Sequence, residues 1–526
     1  LNPKAAEFLK EASQFQLGQL PTESFHPKTI HLSKLATNDL PEALRLLAEV
    51  ELDAAKILKS HLQDIENLKK DIASTIQNGG RIFLCGCGAT GRLSISLETL
   101  WRQQLTPSHP QCDQIRSFIA GGDFALIKSI ENFEDHPEFG VRQLHDLGFS
   151  KKDLLIATSE GGETPFVIGA AEEAAKISDI KPYFMFCNPK DLLIATADRS
   201  KRIIENPRIN CISFFTGPMA ISGSTRLQAT TVLMLAAGSA MFSFIQNVPV
   251  SEIIEEFLTG LKSTQWKSLA PLIVAEAEAY RQKKHLIHIA SDHAITVLTD
   301  TTERTPTFSL LPFENPQLNE PCSWTYMCLP EAADSKQAWD KILKRPLRSI
   351  EWSQYKNEFG PDRSLQYDFS EQALVRRTKA LAGLVKFEVI DLPKVVQLKL
   401  NQEVFELTKP KCLLVEHLLL KVAMNMSSSL VMCKLGRVFG NVMVYVRPTN
   451  KKLIDRSIRY VNFLLEEHDL HPPSYEQICE SVFEVFDQSK VDEPVVMKVF
   501  EKLKSQISAK NGSTKILNLS KESSKS

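Results

Sequence analysis

Five short apolar runs recur at helix-length intervals in the first half of the chain: RIFLCG at 81–86, IRSFIAG at 115–121, DLLIAT at 153–158, PYFMFC at 182–187 and CISFF at 211–215. Each is too short for a buried helix, and the stretches between them have helical spacing. Strand, helix, strand in this rhythm predicts a parallel sheet covered by helices on both faces. Two of the runs end in turns rich in glycine and hydroxyls, LCGCGATGRLS at 84–94 and SEGGETPF at 159–166. In an open parallel sheet the carboxyl ends of neighbouring strands share a crevice, so two such turns converge on one ligand.

The pattern extends on both sides. From Pro41 to Gln77, residues such as Leu44, Leu47, Val50, Leu52, Ala55 and Leu58 build apolar helix faces. Further strands are expected at HLIHIAS (285–291), TFSLLPF (307–313), KFEVIDL (386–392) and VVQLKLN (395–401), with a long helix from Cys412 to Leu435. The apolar segments TTVLMLAAGSAMF and EHLLLKVAMNMSSSLVM close the two halves alike, which suggests a duplicated unit. The second copy has ASDHAI at 290–295 where the first has GCGATG, and without glycine its backbone amides cannot crowd round a phosphate. The expected class is α/β, with two parallel-sheet sandwich domains and a small all-α cap. An N-terminal arm (1–40) precedes the first lobe (41–250), the second lobe (251–436), the cap (437–505) and a disordered tail rich in Ser and Lys (506–526).

Charge and cysteine usage narrow the partners. Lys and Arg (62) and Asp and Glu (63) cancel to a net charge of −1, so no global field gathers nucleic acid or an anionic membrane. Ten cysteines in 526 residues, mostly inside apolar runs, read as buried thiols of a reducing cytoplasm. Cys85 and Cys87 lack the second cluster that a structural zinc needs, so no metal and no cofactor are expected. The polar start LNPKAAEFLKEAS has no signal-peptide pattern. Val232–Ile245 is shorter than the roughly 20 residues that cross a bilayer and reads as a buried helix.

Gly86, Gly88 and Gly91 spell G-x-G-x-x-G. Alone, this fits a dinucleotide loop with Asp123 as its acidic partner, a compact-phosphate loop, or a turn that only lets helix and sheet approach. The second turn, with Ser159 and Thr164 ahead of a helix, favours a phosphate or a sugar hydroxyl. ISGSTR at 221–226 repeats the chemistry with Ser222, Ser224, Thr225 and Arg226, or else caps a helix.

Taken together, GCGATGR and the GGET of Gly161–Thr164 are similar to the sugar isomerase (SIS) domain of phosphosugar isomerases and synthases. More narrowly, GCGATGRL (86–93), IAGGDFALIKSIENFED (119–135), ISGSTR (221–226) and KVAMNMSSSLVMCKLGRVFGNVMV (421–444) resemble, in order and spacing, the family of N-acetylmuramic acid 6-phosphate etherases and the glucokinase regulatory protein. The two-lobe layout is nearer to the regulatory protein. The resemblance implies two SIS-type, flavodoxin-like lobes that pair within one chain as SIS dimers do, leaving a monomer. It implies a phosphosugar site at Gly88, Ala89, Thr90, Ser159 and Gly161, with Ser224 and Thr225 beside it. Lys421, ahead of Asn425 in a K-x-x-x-N pattern, becomes a ligand-facing ammonium suited to a phosphomonoester, and Glu303 of TERTPTF a sugar contact. The implied ligand is a fructose phosphate or related phosphosugar, and the implied partner a sugar kinase.

The etherases eliminate a lactyl ether, work that needs two carboxylates with separate roles. Glu134 of ENFED matches one. The other falls seven residues past the Leu of GRL, where this chain has Leu100. Glu98 is no substitute, because two residues along a helix turn a side chain by about 200°. Losing a general acid or base costs about 10²–10⁴ in rate, so a pocket that binds without efficient etherase chemistry is expected. The alternative is a lyase, or an aldose-ketose isomerase with Glu134 as base. Gln228 in place of a family lysine, the extra acid Glu160 and the hydroxyl lost at Ala89 also alter the site.

Overall fold

The computed structural model of the protein describes residues 2–15, 17–130, 133–490 and 492–522, with side chains through Ala509. In the first lobe β1 (Ile82–Gly86), β2 (Ile115–Ile119), β3 (Leu154–Thr158), β4 (Tyr183–Phe186) and β5 (Asn210–Ser213) form one sheet in the order β2-β1-β3-β4-β5. Every pairing is parallel, with Ile82 facing Ile115 on one side and Leu154 on the other. All five residues of β1 and of β3 are buried, which is why these strands read as continuous apolar runs. The strand order reverses between β1 and β3, so the loops leaving their carboxyl ends diverge and open a crevice. Both glycine-rich turns leave the sheet there.

The second lobe is built differently from expectation. Its sheet, in the order β10-β9-β8-β6-β7, comprises β6 (His285–Ile289), β7 (Thr325–Cys328), β8 (Leu384–Asp391), β9 (Val395–Leu400) and β10 (Glu403–Thr408). Only β6 pairs in parallel, with β7 and β8; β8, β9 and β10 form an antiparallel meander. The links at 392–394 and 401–402 are too short for the crossover a parallel pair requires. The all-parallel second lobe is therefore corrected to a mixed sheet. TFSLLPF is also not a strand. Thr307 and Phe308 end the Ala294–Phe308 helix, Ser309 is left-handed with φ 52°, and the strand falls at Thr325–Cys328. Pro312 would have broken the ladder of a buried strand.

The helices Gln228–Gln246 and Leu413–Lys434 pack against each other between the lobes, buried over almost their whole lengths. Gly238 makes the approach close: a Cβ there would lie 2.6 Å from the Leu414 side chain. Among the described residues Gln228–Gln246 is apolar and long enough to span a bilayer, and 89% of its apolar window is buried in protein. A helix that is apolar on every side belongs in such a core.

The cap opens with a two-stranded hairpin, Val438–Phe439 against Val442–Met443, and so is not all-α. Gly440 and Asn441 make its turn. The helices Lys451–Glu466, Tyr475–Gln488 and Val495–Glu522 follow. The backbone is helical through Glu522 where a disordered tail was expected over 506–526; residues 523–526 lie outside the described residues. No proline interrupts this stretch. The N-terminal arm joins the cap: its Pro3–Glu11 helix packs on Tyr475–Gln488, and Lys4 pairs with Asp487 at 2.6 Å.

Candidate functional site

A cavity of about 120 Å³ lies where both lobes and the cap meet, at the carboxyl end of β1. Its first wall is the turn into the Gly88–Gln104 helix, with Gly88, Ala89 and Arg92. Gly88 has φ +55°, a conformation that strains any residue with a Cβ. Thr90 does not face the cavity. Its Oγ1 donates to the Cys87 carbonyl (2.9 Å) and accepts from the Cys87 amide (3.0 Å), which closes the first turn. The remaining amides at this helix start carry the partial positive charge that binds anions.

The ISGSTR loop makes the facing wall with Gly223, Ser224, Thr225 and Arg226. Ser224 is 4% exposed, and among the described residues its hydroxyl has no hydrogen-bond partner. A buried hydroxyl left unsatisfied costs about 1–3 kcal/mol, a cost that a ligand oxygen relieves. Arg226 is fixed from behind: it donates to Asp300 (3.1 Å) and to the hydroxyls of Ser428 and Ser429 (3.0 and 2.9 Å). Burial opposes ionisation of Asp300, yet Arg304 and Arg226 outweigh it and hold its pKa down at about 2.

Lys421 is not ligand-facing. It is buried, and its ammonium donates to the Arg226 carbonyl (2.8 Å), the Leu227 carbonyl (3.4 Å), Thr231 Oγ1 (3.0 Å) and Asn425 Oδ1 (2.9 Å). These acceptors saturate its three protons, so it braces the ISGSTR loop. Ser159 and Gly161 are likewise behind the wall. Ser159 Oγ bonds Thr164 Oγ1 (2.9 Å) and accepts from the Gly162 amide (3.1 Å), and the Gly161 carbonyl accepts from Asn188 (2.9 Å). Glu160, buried in the same turn, accepts from Thr230 (2.9 Å), and burial pushes its pKa up to about 7.

The second lobe contributes Glu303, Pro306 and Thr307. Glu303 is 5% exposed, and burial raises its pKa against the opposing pull of Arg92, Arg226 and Lys421. Across the cavity stands Glu134, held by the cap: Lys452 Nζ lies 2.6 Å from Oε1, and Asn450 Nδ2 donates to Oε2 at 3.1 Å. Burial disfavours the Lys452 ammonium, but Glu134 and Glu163 outweigh burial and keep it charged. Arg456, one helical turn on, also borders the cavity and pairs with Glu23 of the arm at 2.6 Å.

Leu100 is fully buried and does not border the cavity; twelve residues along the helix place it about 18 Å from Gly88. Glu98 is locked by Arg102 (3.0 Å), Arg345 (3.2 Å) and Arg348 (2.7 Å). Asp123, the acid a dinucleotide would need, is held by Arg345 at 2.6 Å. Gln228 is spent on the backbone of Ala220 and Pro218. At the second lobe's counterpart turn the polar groups pair with each other: Ser291 bonds Glu331, and His293 bonds Glu416 (2.7 Å).

Thus Gly88, Ala89, Glu134, Ser224, Thr225 and Glu303 meet in the cavity, whereas Thr90, Ser159, Gly161 and Lys421 support it. Sequence reasoning did not single out Arg92, Ser129, Asn450, Lys452 or Arg456. Arg92 sits inside the recognised GCGATGRL segment, a signal that was present; Asn450, Lys452 and Arg456 carried none, since only folding brings the cap to β1. A group that could hold a cation also escaped notice. His293, Asp391 and Glu416 offer ligand atoms within 4.8 Å of one another. The Lys409 ammonium pairs with Asp391 and lies 3.8 Å from Glu416, so it already supplies the positive charge there.

The glucokinase regulatory protein N-terminal SIS domain family matches residues 64–174. The N-acetylmuramic acid 6-phosphate etherase of Aliivibrio fischeri MJ11 is 31% identical over 222 residues, which cover 42% of this chain and 68% of that protein. The chain belongs to the family of these etherases. An etherase of Rippkaea orientalis is 33% identical over 219 residues, and the chain spans 66% of its length; one from Clostridium botulinum is 28% identical over 275 residues, covering 52% of this chain and 84% of that protein. Among solved structures, a putative tagatose-6-phosphate ketose/aldose isomerase from Clostridium novyi aligns with 82% of this chain and 91% of its own at 12% identity, with a TM-score of 0.44.

Proposed function

We propose that the protein binds a sugar phosphate in this cavity and acts as a regulator, in the manner of the regulatory protein its first lobe resembles. The observation that carries the reading is the unpartnered, buried Ser224 hydroxyl opposite the Gly88 helix start, with Arg92 on one side and Lys452 on the other. A phosphate accepts from the amides and from Ser224, while Glu134 and Glu303 accept from sugar hydroxyls. Such a ligand touches the first lobe, the second lobe and the cap at once. It therefore favours whichever cap position binds it better, and any partner that distinguishes those positions responds. A sugar kinase is the partner class proposed. Calorimetric titration with fructose 6-phosphate, fructose 1-phosphate and N-acetylmuramic acid 6-phosphate tests the reading; heat from none of the three refutes it.

One observation favours a second reading, an etherase-like lyase or a ketose-aldose isomerase. Two carboxyl groups, Glu134 and Glu303, face one cavity, and burial favours the proton-bearing form of Glu303. Such a pair divides acid from base. Release of lactate from N-acetylmuramic acid 6-phosphate, abolished by Glu134→Gln, distinguishes the lyase from the pure regulator.

A further inference from the structure

A second, larger cavity of about 450 Å³ adjoins the first. Ser129, Pro306 and Leu453 line both, so these side chains stand between the two. Its wall is the segment Leu310–Phe313, the stretch that leaves the Ala294–Phe308 helix instead of forming a strand. The carboxylates at its edge are committed elsewhere: Glu314 pairs with Arg377, and Glu320 accepts from the Asn315 amide at 2.7 Å. Lys128, Arg447, Thr305 and Thr449 stand at its rim, but most of the surface facing the space is Leu, Pro and Phe carbon. Ligand cavities have this size and this mostly apolar lining.

We propose that this chamber receives an apolar substituent, an acyl or alkyl chain, carried by the phosphosugar whose phosphate sits at Gly88. The inference rests on the phosphosugar reading above and specifies the substrate class within it. Polar groups crowd the first cavity, whereas the wall of the second is mainly carbon. A chain on the sugar ring that passes Pro306 and Leu453 leaves water for a carbon-lined wall, and each buried methylene raises affinity about fourfold.

The test is calorimetry with glucosamine 6-phosphate and two series built on it, N-acyl (acetyl, butanoyl, hexanoyl) and 3-O-alkyl (methyl, propyl, pentyl). In one series affinity is expected to rise about sixteenfold for every two methylenes added. In Leu311→Asp, whose side chain lines only the chamber, that gain is lost while the affinity for glucosamine 6-phosphate is kept. Parent binding with no chain-length dependence in either series overturns the chamber and leaves the phosphosugar reading intact. Equal binding of the hexanoyl compound without its phosphate also overturns it, since the two cavities would then act separately. Binding of none of the phosphosugars overturns the reading on which it rests, and the chamber with it.

Discussion

Glu23→Gln releases the cap from the body of the protein. Glu23 is 5% exposed, and it accepts from Arg456 at 2.6 and 3.0 Å and from Arg459 at 2.8 Å. Burial alone would keep this carboxyl protonated, but Arg456 and Arg459 outweigh it and lower the pKa from 4.5 to about 2. At about 1.4 kcal/mol per pK unit, the depression contributes about 3 kcal/mol at neutral pH. The folded pKa lies below the unfolded one, so the contribution is complete above pH ~4.5, shrinks as pH falls and is nearly gone at pH ~2. The glutamine variant lacks it at every pH.

Hydrogen exchange of the Lys451–Glu466 helix reads this directly. A local loss of about 3 kcal/mol speeds exchange there roughly a hundredfold at pH 7 relative to the unaltered protein. At pH ~3 the ratio falls to about tenfold, because protonation has already weakened the parent's clasp. Lys452 lies on the same helix and Asn450 caps it, so phosphosugar affinity falls as well. Equal protection in the two proteins at pH 7, or a ratio that does not change with pH, refutes the account of the clasp.

Three further outcomes follow from the site. Glu160 has its pKa raised to about 7, so the folded state takes up a proton between pH ~4.5 and ~7 and loses stability as pH rises through that window; Glu160→Gln is expected to be the more stable protein at pH 8, by up to about 3 kcal/mol in chemical denaturation. Lys421→Met strips the donor from the Arg226 and Leu227 carbonyls and lowers stability by about 1–3 kcal/mol, whereas Lys452→Met acts mainly on phosphosugar affinity in calorimetry. Gly88→Ala meets open space, so its cost is conformational, about 1 kcal/mol in thermal unfolding, with a loss of phosphosugar affinity as the turn shifts.

The first lobe was legible because its information is local: four strands that are almost wholly buried and the half-buried edge strand Asn210–Ser213 read as five apolar runs, and each glycine-rich turn follows its strand directly. The second lobe was less so. A meander and a crossover sheet use the same apolar residues, and the short links at 392–394 and 401–402 distinguish them. In the site, residues that bond within their own turn misled. Ser159 and Thr90 have the chemistry of phosphate ligands, but their hydroxyls find partners three to five residues away, which satisfies them before a ligand arrives. Lys421 interrupts an apolar helix, and the physical inference that it must serve a charge was sound in kind. Its ammonium instead donates to Asn425, which the K-x-x-x-N spacing does display, and to the Arg226 and Leu227 carbonyls and Thr231, which no spacing in the sequence displays.

The same logic bears on whether the pocket performs chemistry or only binds. The position where the etherase pattern expects a second acid is Leu100, deep in the core and about 18 Å from Gly88, where a carboxylate would be a buried charge that does not reach the cavity. The nearby acid, Glu98, is already committed to three arginines. Glu134 is tied to Lys452 and Asn450 of the cap, so the carboxylate that could serve as a base is also a contact between the first lobe and the cap. A phosphate that drew on Lys452 would weaken that contact. The residue that would begin catalysis in a lyase is thus the one that would report occupancy in a regulator, and removing its partner with Lys452→Met separates the two roles: a lyase gains an unpaired base, whereas a regulator loses its response to ligand.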